Sequence, residues 1–144
     1  MTQDEFEARR HKMLNDITGC AFKSYNYWHA GVDELVYEAG LCCELEDLEY
    51  IVRRQEELPI YYKGRSSKVR RRFDLVVVDR DLGNCIVELK ALDTIGDIQR
   101  RQLWSYLRLT NCHFGILINF SPSGVYSERW GYDEETQKCF RIKS

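Results

Sequence analysis

Residues 72 to 91, RFDLVVVDRDLGNCIVELKA, decide the fold. Arg72 to Val78 and Cys85 to Ala91 are rich in β-branched residues and are separated by the turn-forming run DRDLGN, so they read as a hairpin. A register that pairs Val76 with Ile86 sets Asp74 opposite Glu88 and leaves a five-residue connection, Asp79 to Gly83. Opposed β-carbons in such a pair lie ~5 Å apart, close enough for two carboxylates to share one divalent ion. Side chains two apart share a strand face, so Glu88 and Lys90 point one way while Val87, Leu89 and Ala91 point the other. Taken alone, Glu-x-Lys reads as the charged outer face of a sheet. Asp74 is different, because its neighbours in RFDLVVV describe a buried strand.

Downstream, Ile95 to Leu109 has helical spacing through Ile95, Ile98, Leu103, Tyr106, Leu107 and Leu109. Gln102 and Tyr106 are four apart and stack on one face of that helix, where they can hold a phosphate or a base or simply edge the core. FGILINF, Phe114 to Phe120, predicts a strand buried on both faces. Val125 to Trp130 and Cys139 to Ile142 predict a last hairpin. Upstream, Phe6, Met13, Ile17, Cys20, Ser24 and Trp28 predict one long amphipathic helix from Asp4 to Trp28. A second helix starts at the capping residue Asp33 and carries a core stripe of Tyr37, Leu41, Leu45 and Leu48. Glu34 continues this stripe, and a carboxylate there requires a partner. Short strands are expected at Tyr50 to Arg54 and at Pro59 to Tyr62.

A chain of 144 residues with 44% hydrophobic and 31% charged residues fits one compact soluble domain spanning residues 1–144 and excludes disordered or collagen-like classes. The start, MTQDEFEARRHK, is too charged for the apolar part of a signal peptide, so an intracellular protein is expected, cytoplasmic or nuclear and not secreted. Six cysteines without a C-x-x-C are expected to be small buried apolar residues rather than disulfides or zinc ligands. The net charge of −2 hides a strong segregation. Nine acids against two arginines lie between Asp33 and Glu57, whereas Leu58 to Arg72 holds six cations and no acid. That basic run, RSSKVRRR, reads as a solvated loop or edge strand, or as a phosphate-binding surface.

The ordered set of a helix glutamate, a hairpin aspartate, a strand Glu-x-Lys and a helix glutamine resembles the PD-(D/E)XK nuclease superfamily. More closely, it is similar to the small proteins called the GxxExxY family, through Gly31-Val32-Asp33-Glu34-Leu35-Val36-Tyr37 and the stretches LPIYYKG, RFDLVVVD, IVELKA, QLWSYLRLT and GILINF. Trp28-His29-Ala30-Gly31 stands where relatives tend to have Leu-Gly-Pro-Gly. The resemblance implies an α/β (α+β) fold with a restriction-endonuclease-like αβββαβ core, a central mixed sheet flanked by helices. It implies a catalytic centre of Glu34, Asp74, Glu88 and Lys90, with Asp74, Glu88 and Glu34 holding Mg²⁺ or Mn²⁺, hard ions that prefer oxygen ligands. Lys90 would position the attacking water, while Gln102, Tyr106, Arg70, Arg71 and Arg72 would bind nucleic acid, DNA being favoured, with Arg100 or Arg101 also flanking the groove. A homodimer is expected as a common route to acting on two strands. The alternative is a catalytically silent nucleic-acid-binding or protein-interaction module, since a fold does not dictate an activity.

Overall fold

Alternating β-branched residues build the sheet on which everything else is mounted. The computed structural model describes residues 1–110 and 112–143. Two helices, α1 (Gln3–Trp28) and α2 (Glu34–Asp47), precede three strands, β1 (Ile51–Tyr62), β2 (Arg65–Asp79) and β3 (Gly83–Lys90). Helix α3 (Asp97–Thr110) then leads to β4 (Phe114–Ser121), β5 (Gly124–Asp133) and β6 (Lys138–Ile142). The strands form one sheet in the order β1-β2-β3-β4-β5-β6, antiparallel except for the parallel pair β3–β4 that α3 connects. The expected αβββαβ order and mixed sheet flanked by helices are therefore present, extended by a final hairpin.

The helix starts follow the capping residues. Thr2 Oγ1 accepts from the Glu5 N–H at 3.1 Å, and Asp33 Oδ1 accepts from the Val36 N–H at 3.2 Å. Between the helices the chain reverses at His29 (φ 63°) and Gly31 (φ 102°), left-handed conformations that glycine adopts readily. Apolar residues of α1 and α2, including Leu14, Ile17, Tyr37 and Leu41, pack with Leu75, Val77 and Val87 on one side of the sheet. Leu103 and Leu107 of α3 pack with Phe73, Val76, Ile86 and Leu117 on the other. At Gly115 a β-carbon would lie 2.8 Å from the Ile86 carbonyl oxygen and 3.1 Å from Leu103, so the absent side chain lets α3 approach β4.

Several expectations are corrected. The hairpin ladder runs one step further than expected, to Asp79↔Gly83, because Asp79 Oδ1 accepts from the Asp81 and Leu82 N–H groups and tightens the turn to Arg80, Asp81 and Leu82. The two short strands before it are one strand, β1, kept continuous through Gln55 (φ 49°) by its pairing with β2. Of the loop and edge-strand readings of RSSKVRRR the strand holds, since it forms the first half of β2, and β2 therefore begins at Arg65 rather than Arg72. Ile98, Leu48 and Trp28 are exposed rather than core, since each lies at or near a helix end beyond the packed turns, and Cys43 is exposed on the outer side of α2.

Pairing of β2 with β3 begins at Leu75↔Val87, whereas β1 and β2 stay paired out to Tyr62↔Arg65. Beyond Leu75 the first two strands thus form a two-stranded ribbon, about 30 Å long at ~3.3 Å per residue. Lys63 (φ 50°) and Gly64 (φ 76°) turn its tip, the doubly left-handed pair that a two-residue hairpin requires.

Candidate active site

The site lies where β2 leaves the sheet. Phe73 and Leu75 are two residues apart yet belong to opposite cores, so the alternation of β2 is broken at Asp74. Gln55, which the β1–β2 register places across from Asp74, is left-handed and skipped in the ladder. Such irregularities re-aim side chains next to functional sites. Gln55 is held there by α2: its Nε2 donates to Glu38 Oε1 at 2.8 Å, and Arg54 Nε donates to Glu38 Oε2 at 3.0 Å. Released from the ladder, Asp74 turns its Oδ2 to the Leu89 N–H, 2.8 Å away. The β2–β3 register carried one step on sets Asp74 opposite Glu88, as the hairpin reading expects.

Glu88 is only 4% exposed, and its Oε1 is buried with no hydrogen-bond partner among the described residues. Burial, with the nearby negative charge of Asp74, pushes its carboxyl up to about 8, against the opposing pull of Lys90 and of the Asp74 backbone N–H. Glu34, half-buried in the first turn of α2, is also raised by burial, with Lys90 and Asp74 acting on it in opposite senses and the Ala91 N–H drawing it down. Four residues from one helix and two strands are thereby brought within electrostatic reach of one another.

Lys90 is held in place by α3. Its Nζ donates to Gln102 Oε1 at 2.9 Å, and Gln102 Nε2 donates to Tyr106 Oη at 2.9 Å. The Tyr106 ring stands edge-on to Phe73, with centroids 4.7 Å apart, which ties this series of side chains back to β2. Gln102 and Tyr106, expected to touch nucleic acid, thus first serve to aim the lysine. Asn119, which sequence reasoning passed over, fastens the exit of β3 by accepting from the Leu92 N–H and donating to the Leu92 carbonyl, both at 2.9 Å. A polar side chain inside the otherwise apolar FGILINF was the available signal.

The arginines do not form one patch. Opposed residues share a face, and Leu58↔Arg71 and Glu56↔Phe73 put Arg71 on the Phe73 side of the ribbon, whereas Pro59↔Arg70 and Glu57↔Arg72 put Arg70 and Arg72 on the other. Glu57 neutralises part of that second pair, at 3.5 Å from Arg70 and 3.1 Å from Arg72. Arg71 has no ion pair among the described residues. Arg100 is likewise taken, bound to Glu128 at 2.7 Å and Asp97 at 3.0 Å, while Arg101 is exposed.

No group of three His, Cys, Asp or Glu gathers at metal-binding distances among the described residues. Two all-oxygen carboxylates with one partnerless buried oxygen nonetheless suit a small divalent cation, which needs one or two carboxylates and keeps several waters. The family model that matches residues 11–130 is that of the PD-(D/E)XK nuclease superfamily. A solved structure described as "Crystal structure of SSO0001" is similar in fold, with a TM-score of 0.53 and 21% identity. The match covers 72% of this chain and 53% of that one, so the chain spans about half the length of that protein. No curated protein matches the chain.

Proposed function

As the chain belongs to the PD-(D/E)XK nuclease superfamily, we propose that it is a nuclease that hydrolyses phosphodiester bonds of nucleic acid with a divalent cation, Mg²⁺ or Mn²⁺. The observation that carries this reading is the buried, partnerless Glu88 oxygen beside Asp74, with Lys90 held next to it by Gln102. Asp74 and Glu88 would hold the cation and Glu34 would support it, directly or through a water. When bound, the ion supplies a more acidic water and neutralises charge growing on the phosphoryl oxygens.

The chain's own groups do the rest. One donor of the Lys90 ammonium is engaged by Gln102, which leaves two to orient the attacking water and to meet the developing negative charge on phosphorus-bound oxygen. Glu34, raised by burial and by Asp74 and drawn down by Lys90, stands close to the reacting groups. Arg71 lies on the Phe73 face of the ribbon, the face that leads to Tyr106 and Lys90, where it can neutralise a backbone phosphate. DNA is favoured because a two-stranded ribbon fits the wide major groove of B-form DNA and not the deep, narrow one of A-form RNA. The narrower likeness to GxxExxY proteins belongs to this reading, as does a homodimer that addresses two strands; a solution mass of one chain at micromolar concentration would remove the dimer.

The test is a panel of labelled DNA and RNA substrates, single- and double-stranded, incubated with Mg²⁺ or Mn²⁺ beside a Lys90→Ala control. Metal-dependent cleavage lost in the control supports the proposal. Binding without cleavage in any combination means a silent module on the same fold.

A further inference from the structure

On the α1 side of the sheet, away from the Asp74–Glu88 pair, β5 buries a cation that has no counter-charge among the described residues. Arg129 is 6% exposed, and its Nη2 donates to Asn15 Oδ1 at 2.8 Å and to Thr18 Oγ1 at 3.3 Å, both on α1. Its Nη1 is buried without a partner among the described residues. Among the described residues no carboxylate pairs with it. The neighbouring acid, Glu128, points to the opposite face and is committed to Arg100, Tyr126 and Trp130. A buried guanidinium whose only partners are neutral is strongly unfavourable, and burial alone lowers its proton affinity with no acid to offset it. A further cation, Lys143, borders it. A cavity of about 360 Å³ at the β6 edge is lined by Arg129, Arg141 and Lys143 together with Thr18, Ser127 and Ile142. An adjoining cleft shares Arg141 and Lys143 and adds Arg10 and His11, with Glu7 its one acid.

We propose that this cavity is an oxyanion site, built around Arg129 and suited to a phosphate group. A planar guanidinium with unused donors, an ammonium and a serine hydroxyl match the oxygens of a tetrahedral anion, which would supply the charge that the fold withholds from Arg129. Arg141 meets only the rim, since its guanidinium lies on the other face, 3.9 Å from Glu128 Oε1 and over the Trp130 ring. The site does not depend on the nuclease reading. A phosphate could belong to a nucleic-acid strand that leaves the carboxylate cluster, or to a free small phosphate.

The experiment is a titration of the metal-free protein with inorganic phosphate against chloride at equal ionic strength, read by melting temperature and by the NMR signal of the Arg129 side-chain Nε–Hε. Phosphate should raise the melting temperature above the chloride value and shift that signal. Arg129→Met should weaken phosphate binding at least about tenfold, the loss of a charge-assisted pair of hydrogen bonds. Lys143→Ala, at an exposed position, should weaken it by about threefold without disturbing the fold. A short oligonucleotide without terminal phosphates distinguishes the sources: displacement of phosphate assigns the site to a nucleic-acid backbone, and failure to displace it assigns the site to a free phosphate. Wild-type protein that responds to phosphate no more than to chloride, or equal phosphate binding by wild type and Lys143→Ala together with a still Arg129 signal, overturns the proposal and leaves Arg129 as a tie for α1.

Discussion

What separates Lys90 from an ordinary strand lysine is the amide that holds it. A solvent-exposed ion pair contributes only ~0 to 1 kcal/mol, so a surface lysine could be removed with little effect. Lys90 instead donates to a half-buried glutamine that is itself bonded to Tyr106. Lys90→Ala should therefore lower the cleavage rate by about a hundredfold or more while leaving substrate affinity nearly unchanged, as single-turnover and binding assays on one substrate would show. Gln102→Leu should act in the same direction by about tenfold, through kcat rather than KM, because it frees the lysine without removing it. Equal rates for wild type and Lys90→Ala would mean that the centre is misassigned. Glu88 gives a second test. With its carboxyl pushed up to about 8 it is mostly protonated at neutral pH, and a ligand must be deprotonated. Titration of Mg²⁺ at pH 7 in buffers of different ionisation enthalpy should accordingly release close to one proton per bound ion, and Glu88→Gln should release none.

At the scale of elements, the ribbon formed by β1 and β2 combines two jobs. Its base carries the break at Asp74 that aims the carboxylate at Leu89, and its length carries the cations. Alternation divides those cations between two faces, with Arg70 and Arg72 sharing Glu57 and Arg71, on the side of Phe73, left without an ion pair among the described residues. Removing one cation that neutralises a backbone phosphate should flatten the salt dependence of nucleic-acid binding by about one unit of slope. Arg71→Ala alone is expected to produce about that change, whereas Arg70→Ala and Arg72→Ala should each produce less, since Glu57 already offsets them. Three equal effects would indicate a surface that nucleic acid approaches from both faces, and no effect would make the ribbon a solvated edge.

For the whole molecule, the two layers are joined by buried ion pairs as well as by apolar packing. Glu128 of β5, with its side chain fully buried, accepts from Arg100 of α3 and from Tyr126 and Trp130. Burial alone would raise its carboxyl, but these donors outweigh burial and take it down to about 2. A carboxyl depressed in the folded state contributes stability that is complete above its unfolded value of 4.5 and is lost as pH falls toward about 2. Acid unfolding between those values should therefore be steep in the wild type and flatter in Glu128→Gln, with a difference on the order of 3 kcal/mol accumulating across the window. Matching acid transitions would show that α3 is held to the sheet by packing alone.

Local pattern determined much of this protein. Helical spacing, capping residues and the turn-rich DRDLGN placed both N-terminal helices and the β2–β3 hairpin, and the hairpin register alone set Asp74 across from Glu88, because these features depend on neighbours a few residues apart. The same locality hid what the tertiary structure decided. Lys90 and Gln102 meet only because α3 packs on the sheet, Glu57 reaches Arg70 and Arg72 only through strand pairing, and Gln55 is set against Asp74 by the β1–β2 register while α2 fixes its side chain through Glu38. A run of arginines reads as one charge in sequence, but strand alternation splits it in space. Likewise Arg129 stands unremarked beside Glu128 in the sequence, and only the opposite directions of adjacent strand residues leave one charge satisfied and the other alone.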